Sequence, residues 1–111
     1  MADETYNVSI AQRPRRQIRD ITRYLAENAS VNTAEKVRDA IFVAIRKLEK
    51  MPDSHGRLRY IESDNPIFRR VNVWKYVIVF VVDEDAKTVT VVDVSHSSQD
   101  PQRLIDRLSA P

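Results

Sequence analysis

The fold is decided by the stretch from Ile67 to Val94, which reads IFRRVNVWKYVIVFVV at 67–82, DEDA at 83–86 and KTVTVVDV at 87–94. β-branched and aromatic residues dominate this stretch, and it contains neither Gly nor Pro, a composition typical of strands. The acidic break at 83–86 indicates a turn, so Tyr76–Val82 and Lys87–Val94 are predicted to pair antiparallel. Phe68–Val73 is predicted to pair on the other side of Tyr76–Val82, through a tight reversal near Trp74-Lys75.

Two helices are predicted before the strands and should cover one face of the sheet. Pro14 suits the first turn of a helix that runs to about Asn28. The pattern Asn32-Thr33-Ala34-Glu35 resembles a capping box with Asn32 as the cap, and Met51-Pro52 ends the second helix. Because about four residues join the helices, we expect an antiparallel hairpin. Each helix carries one apolar stripe: Ile18, Ile21 and Leu25 on the first, and Ala34, Val37, Ile41, Ala44, Ile45 and Leu48 on the second.

The chain ends add one element each. Tyr6–Ile10 alternates apolar and polar residues, which predicts a strand with one buried face. Asp100 and Pro101 suit the cap and first position of a short C-terminal helix. The order is β-α-α-β-β-β-α, so residues 1–111 are predicted to form a single α+β domain. The sheet face opposite the helical hairpin is expected to remain open and to carry arginine.

Composition and charge narrow the class of protein. The chain has 111 residues, 42% hydrophobic and 31% charged, which suits one soluble globular domain. The formal net charge is only +2, yet Arg13–Arg23 carries five Arg against one Asp, which favours a polyanion or an acidic protein segment as partner. No Cys is present, which excludes disulfides and zinc–thiolate sites, and two isolated His predict no metal site. No signal-peptide pattern or long apolar run is present, so a cytoplasmic protein without a cofactor is expected.

Several short motifs occur in a fixed order along the chain. They are a Tyr-x-Val strand start at Tyr6, Leu48-Glu49-Lys50-Met51-Pro52, Gly56-Arg57, an Arg opening the second strand, Tyr76-Val77-Ile78-Val79-Phe80, and Val89–His96 with its final His. From Tyr6 to about Leu104 this set resembles the RelE/ParE toxin superfamily of bacterial type II toxin–antitoxin systems.

The resemblance implies one of two activities. RelE-like toxins cleave messenger RNA on the ribosome, whereas ParE-like toxins poison DNA gyrase and lack the full set of nuclease residues. The ending His96…Asp100-Pro101 is closer to the ParE form His-x-x-Arg-Asp-Pro, although Gln99 stands where Arg is common. The cluster of lysines that RelE-type nucleases carry before the second strand is absent, and Arg57 and Arg59 stand there instead.

If the chain were RelE-like, RNA cleavage would need a base, an acid and cations for the phosphorane. Arg57 and Arg59 could bind phosphate, and the candidate catalytic residues are Arg69, Arg70, Tyr76, His96 and Glu62 as base. Only one of Arg69 and Arg70 can join such a site, because successive strand residues point to opposite faces.

Each candidate also has a structural interpretation. His96 can simply bond backbone in a turn, and Tyr76 can be half-buried strand packing. One of the two strand arginines can be the ion-pair partner of Glu62 or Asp93. The sequence leaves both the catalytic and the structural interpretation open.

The resemblance also implies a cognate antitoxin that wraps the helical hairpin and the sheet. An acidic segment would suit the basic stripe of the first helix, and Trp74 is expected to be an exposed interface anchor. The expected antitoxin-binding residues are Arg15, Arg16, Arg19, Arg23 and Trp74.

The leading hypothesis is a ParE-like toxin that inhibits DNA gyrase and is neutralised by its antitoxin. The first alternative is a RelE-like, metal-independent endoribonuclease acting on ribosome-bound message. The second is an inactive member that only binds antitoxin.

Overall fold

A computed structural model describes residues 5–59, 61 and 66–109. Its elements follow the predicted order β-α-α-β-β-β-α. They are β1 (Asn7–Ile10), α1 (Gln12–Asn28), α2 (Val31–Arg46), β2 (Arg69–Val73), β3 (Tyr76–Asp83), β4 (Thr88–His96) and α3 (Pro101–Ser109), with short 3₁₀ turns at Lys47–Glu49 and Pro52–Ser54.

The strands form one four-stranded sheet in the order β1-β4-β3-β2. β2, β3 and β4 pair antiparallel as predicted, and the reversal between β2 and β3 falls at Trp74 and Lys75, since Val73 pairs with Tyr76. β1 pairs parallel with β4, and its four residues lie opposite Thr88–Val91. β4 therefore continues beyond the end of β1, and it includes His96, which the sequence analysis had placed just past the strand.

The helical hairpin covers one face of the sheet and encloses the main core. Ile18 of α1 packs with Tyr76, Ile78 and Phe80 of β3. The same core contains most of the predicted stripe of the second helix, namely Val37, Ile41, Ala44 and Ile45 of α2 and Leu48 of the following 3₁₀ turn. Ile41 and Phe80 are fully buried, so the helical layer removes the centre of this sheet face from water.

Two details of the prediction are wrong. The N-cap of α2 is Ser30 rather than Asn32, because the Ser30 hydroxyl accepts a 3.0 Å hydrogen bond from the Thr33 N–H. The helix therefore starts at Val31, and only Ala29 and Ser30 separate it from α1.

The opposite face of the sheet is not open, contrary to expectation. Leu104 of α3 and Leu58 of the loop after α2 pack with Val79 there and form a second, smaller core. The cap of α3 is as predicted, since an Asp100 carboxylate oxygen accepts from the Gln102 N–H at 3.0 Å.

Candidate functional site

The arginines that open β2 lie on opposite faces of the sheet. Arg69 pairs with Phe80, whose side chain faces the helical hairpin, whereas Arg70 pairs with Val79, which faces α3. Arg69 donates from Nη1 to the His55 carbonyl oxygen at 2.8 Å, which fixes the loop to the sheet. Arg57 lies opposite Arg69 in an isolated β-bridge, so it belongs to the same end of the sheet.

Tyr76 and His96 lie together at the other end of the sheet. They are directly paired across β3 and β4, and their rings meet edge to face with centroids 5.5 Å apart. The His96 Nδ1 accepts from the Ser98 N–H at 3.0 Å, so this side chain also shapes the turn before α3. Burial, with a smaller effect of the neighbouring Tyr24, raises the pKa of Tyr76, which keeps its hydroxyl protonated at neutral pH.

The candidate nuclease residues are thus not brought together. Phe80, the partner of Arg69, is four residues from Tyr76 along β3, a separation of about 13 Å. Arg59 is exposed in the loop after α2, and Glu62 lies outside the described residues. Tyr76 and His96 therefore form a pair without a described arginine from β2 beside them.

A cleft opens between α1 and the Tyr76–His96 end of the sheet, with a volume of about 620 Å³. It exists because β1 is short: beyond Val91 no strand of the described chain lies along the outer edge of β4, and the Gln17 side chain accepts from the Val94 N–H instead, at 2.8 Å. We call this the β4 cleft. Its lining residues are Gln17, Asp20, Ile21, Tyr24, Leu25, Lys75, Tyr76, Val94, Ser95 and His96.

A buried polar network beside this cleft was not predicted. The Asp93 carboxylate is fully buried and accepts two hydrogen bonds from Arg107 of α3, at 2.8 and 3.1 Å. Gln17 donates to it at 2.9 Å and Ser95 at 2.8 Å, so its oxygens have four donors. The ion-pair partner of Asp93 is therefore Arg107 and neither Arg69 nor Arg70.

Gln99 completes this network. Its Oε1 accepts from Arg107 Nη2 at 2.7 Å, and its Nε2 donates to the Ser95 hydroxyl. The signal in the sequence was a carboxylate inside the apolar run 89–94, which requires a cation nearby, but spacing alone could not select Arg107.

The outer face of the helical hairpin carries a basic groove of about 430 Å³. Ile18, Ala26 and Phe42 form its apolar floor. We call this the hairpin groove. Arginines from both helices form its rims, namely Arg15, Arg19, Arg23 and Arg38, and Thr22 completes the lining.

The groove arginines make few contacts within the protein. Arg15 donates to the Ile10 carbonyl at 3.0 Å, and Arg38 meets Asp39 at 3.5 Å in an exposed pair. Arg16 is exposed on the same helix, and Trp74 is 63% exposed at the β2–β3 reversal, as predicted.

A second cluster of charges joins the β3–β4 turn to the loop after α2. The Tyr6 hydroxyl donates to Glu84 at 2.7 Å, and the Lys87 ammonium reaches the same carboxylate at 3.2 Å. A hydrogen bond from the Asp53 carboxyl and a weaker effect of the Tyr6 hydrogen bond lower the pKa of Glu84 to about 2. The same contact with Glu84 raises the pKa of Asp53, and the Tyr6 pKa is raised as well.

Comparison with known proteins assigns the family. Residues 8–101 match the family described as the ParE toxin of type II toxin-antitoxin system, parDE. The chain belongs to the ParE toxin family. It is thus a toxin of the type II toxin–antitoxin class in the RelE/ParE superfamily, as the sequence motifs indicated. No curated protein sequence matches the chain significantly.

Solved structures of toxin–antitoxin proteins share the ParE-like fold of this chain. The chromosomal ParDE system from P. aeruginosa matches with a TM-score of 0.70 at 12% identity, over 84% of this chain and 97% of that one. The toxin RelE of E. coli, as a mutant in the free state, matches with a TM-score of 0.62 at 13% identity, over 93% of each chain. The RelBE2 complex of Mycobacterium tuberculosis matches with a TM-score of 0.60 at 17% identity, over 83% of this chain and 98% of that one.

No helix in ranges 5–59 and 66–109 is long and apolar enough to cross a membrane. Within the same ranges no group of three or more His, Asp or Glu side chains is placed to hold a metal ion.

Proposed function

We propose that this ParE-family toxin acts by binding and poisoning DNA gyrase in the cytoplasm, and that a cognate antitoxin neutralises it by direct contact. One observation carries the choice of target: the residues that a nuclease would need are divided between the two ends of the sheet. Arg57 and Arg69 lie at one end, and Tyr76 and His96 lie at the other.

Neither end of the sheet carries all the groups that RNA cleavage needs. A base must take the proton of the attacking 2′-hydroxyl, and a cation must stabilise the phosphorane. The raised pKa of Tyr76 makes it a poor base at neutral pH, and the Arg69 guanidinium is held by the His55 carbonyl. A toxin that works by occupying its target needs neither group.

The hairpin groove supports the antitoxin part of the proposal. Its apolar floor and four arginines suit an acidic amphipathic segment, whose apolar side chains would cover Ile18 and Phe42 while its carboxylates meet the rims. The P. aeruginosa ParDE and M. tuberculosis RelBE2 structures are toxin–antitoxin systems, and we extend that kind of partner to this chain. Arg16 and Trp74 extend the proposed contact area beyond the groove.

Two assays on the purified toxin test the target. The toxin should inhibit supercoiling by gyrase in proportion to its concentration. Primer extension on a translated message should show no new site-specific RNA ends. Site-specific cuts with intact gyrase activity would overturn the proposal in favour of the ribosomal nuclease. A toxin that binds antitoxin but is silent in both assays would be the inactive member.

A specific observation keeps the nuclease as second candidate, namely the contact between Tyr76 and His96 at an accessible cleft. His96→Ala separates the two functions. It should leave gyrase inhibition within about twofold of wild type, whereas a nuclease that uses this imidazole would lose about a hundredfold or more of its rate.

A further inference from the structure

The β4 cleft carries two opposite charges that do not meet. Lys75 lines the sheet side and Asp20 lines the helix side, and both residues are exposed. Within ranges 5–59 and 66–109, neither side chain has a hydrogen-bond or ion-pair partner. A cation and an anion at fixed places on one surface suit a two-fold contact between identical molecules, because each residue of one copy then meets the other residue of the second copy.

The surface between these charges is apolar and aromatic. Ile21 and Leu25 of α1 line the cleft, and Tyr24 is 62% exposed although aromatic side chains usually bury most of their surface. With a volume of about 620 Å³, the cleft has room for a large side chain from another molecule. Covering it would remove apolar surface from water, which favours association.

Trp74 projects next to the cleft. It directly precedes Lys75, and its side chain is 63% exposed. Its backbone is left-handed, with φ of 54°, which is costly for a bulky residue. Among the described residues its ring makes no ring or cation–π contact. The turn thus holds an indole in solvent at a cost in backbone energy, and exposed tryptophans are common anchors of protein interfaces.

The hairpin groove is a poor surface for contact between copies of this chain. The four charged residues on its rims are all cations, namely Arg15, Arg19, Arg23 and Arg38. Two copies that met through this groove would bring like charges together, which disfavours the contact. The β4 cleft carries both signs of charge together with an exposed indole, so it is the surface that fits a second copy.

We propose that two copies of the toxin associate about a two-fold axis through the β4 cleft, with Trp74 of each copy inserted into the cleft of the other. Lys75 of each copy would pair with Asp20 of the other, and the indole would pack on Ile21 beside Tyr24. The contact is small, so we expect a dissociation constant in the micromolar range. This inference goes beyond the proposed function and does not depend on the gyrase target. An antitoxin bound at Trp74 would exclude the second copy.

Sedimentation of the purified toxin without antitoxin tests the proposal. Over loading concentrations of about 1 to 300 µM, we expect the average mass to rise from that of one chain toward that of two. Trp74 is the only tryptophan, so its emission reports its own burial. The emission maximum should shift to shorter wavelength over the same concentration range.

Matched variants locate the contact. Trp74→Ala should weaken association at least about tenfold, whereas Phe42→Ala, which removes an exposed ring from the hairpin groove, should leave it unchanged. Asp20→Lys and Lys75→Asp should each weaken association several-fold, because like charges then meet across the axis. The two charge changes combined restore opposite charges and should recover most of the association. This rescue tests the geometry even if Trp74→Ala does not fold.

Three results would overturn the proposal. The first is a toxin that stays monomeric up to about 1 mM with an unchanged Trp74 emission maximum. The second is a dimer whose affinity is the same in Trp74→Ala and in both single charge variants, which would place the contact elsewhere on the surface. The third is a double charge variant that associates no better than the single ones, which would show that Lys75 and Asp20 do not pair.

Discussion

The charges at the junction of β4 and α3 and those on the outer face of the helical hairpin have opposite surroundings. Asp93 is fully buried and receives four hydrogen bonds, two of them from Arg107. Along the hairpin groove the arginines of α1 lie in solvent, and among them Arg15 bonds only a backbone carbonyl. We infer from this difference that the buried charges stabilise the fold, whereas the exposed arginines are available to bind a partner.

The largest expected effect is at the junction. Arg107→Met leaves the Asp93 carboxylate buried without its cation, which should reduce the free energy of unfolding by about 3–5 kcal/mol. Urea denaturation measures this loss. Arg103→Met, on the exposed side of the same helix, is the matched control and should change stability by less than about 0.5 kcal/mol. Equal stabilities of the two variants would show that the buried pair contributes nothing.

A smaller effect is expected where Arg69 holds the loop. Arg69→Met removes a charge-assisted hydrogen bond to the His55 carbonyl and should cost about 1.5–3 kcal/mol in thermal or urea unfolding. Arg70→Met is the control on the neighbouring residue and should cost less. If Arg69→Met instead kept full stability but abolished toxicity, Arg69 would belong to the functional set rather than to the fold.

The pH dependence of stability tests the role of the charges around Glu84. Because the Glu84 pKa is lowered from 4.5 to about 2 on folding, its contribution to stability is present above pH 4.5 and is lost as the pH falls toward 2. The raised pKa of Asp53 has the opposite sign, so its contribution is present in acid and is lost as the pH rises through that pKa. The contribution of this pair to wild-type stability should therefore be largest in mild acid.

Glu84→Gln should flatten that profile, because it removes the partner of Asp53 as well as the shifted carboxylate itself. The measurement is the unfolding midpoint from about pH 2 to about pH 7 in buffers of constant ionic strength. A variant whose profile is the same as that of the wild type would show that these pKa shifts do not affect stability.

The smallest stability effect is expected in the hairpin groove. Arg19→Gln combined with Arg23→Gln should leave the free energy of unfolding within about 0.5 kcal/mol of wild type, because neither guanidinium has a described bond within the protein. The same pair should weaken antitoxin binding at least about tenfold, measured by calorimetry. A clear loss of stability would instead show that these arginines stabilise the fold.

Patterns local in sequence predicted most of the fold. The β-branched run and the Trp74-Lys75 reversal produced the three-strand meander, and the apolar spacing of α1 and α2 produced the hairpin. The cap of α2 was missed because Ser30 and Asn32 are both good caps, and only backbone geometry selects between them. The short strand at the start of the chain was predicted, but its parallel pairing with Thr88–Val91 of β4, and hence the β4 cleft, has no clear sequence signal.

The candidate site was harder to predict because it depends on register and on long-range contacts. Which of Arg69 and Arg70 faces α3 depends on a one-residue choice in the pairing of β2 with β3. The pairing of Asp93 with Arg107 depends on how α3 docks, and α3 docks through Leu104 on a face that was expected to be open. Resemblance identified the family, but it could not place these side chains.

The most direct measurement is the affinity of the toxin for its purified antitoxin between about 0.05 and 0.5 M salt. If the hairpin groove is reserved for an acidic partner, the affinity should fall steeply with salt, and Arg19→Gln with Arg23→Gln should reduce that slope. An affinity that is the same across this range, in wild type and variant alike, would contradict the assignment of these arginines to the partner.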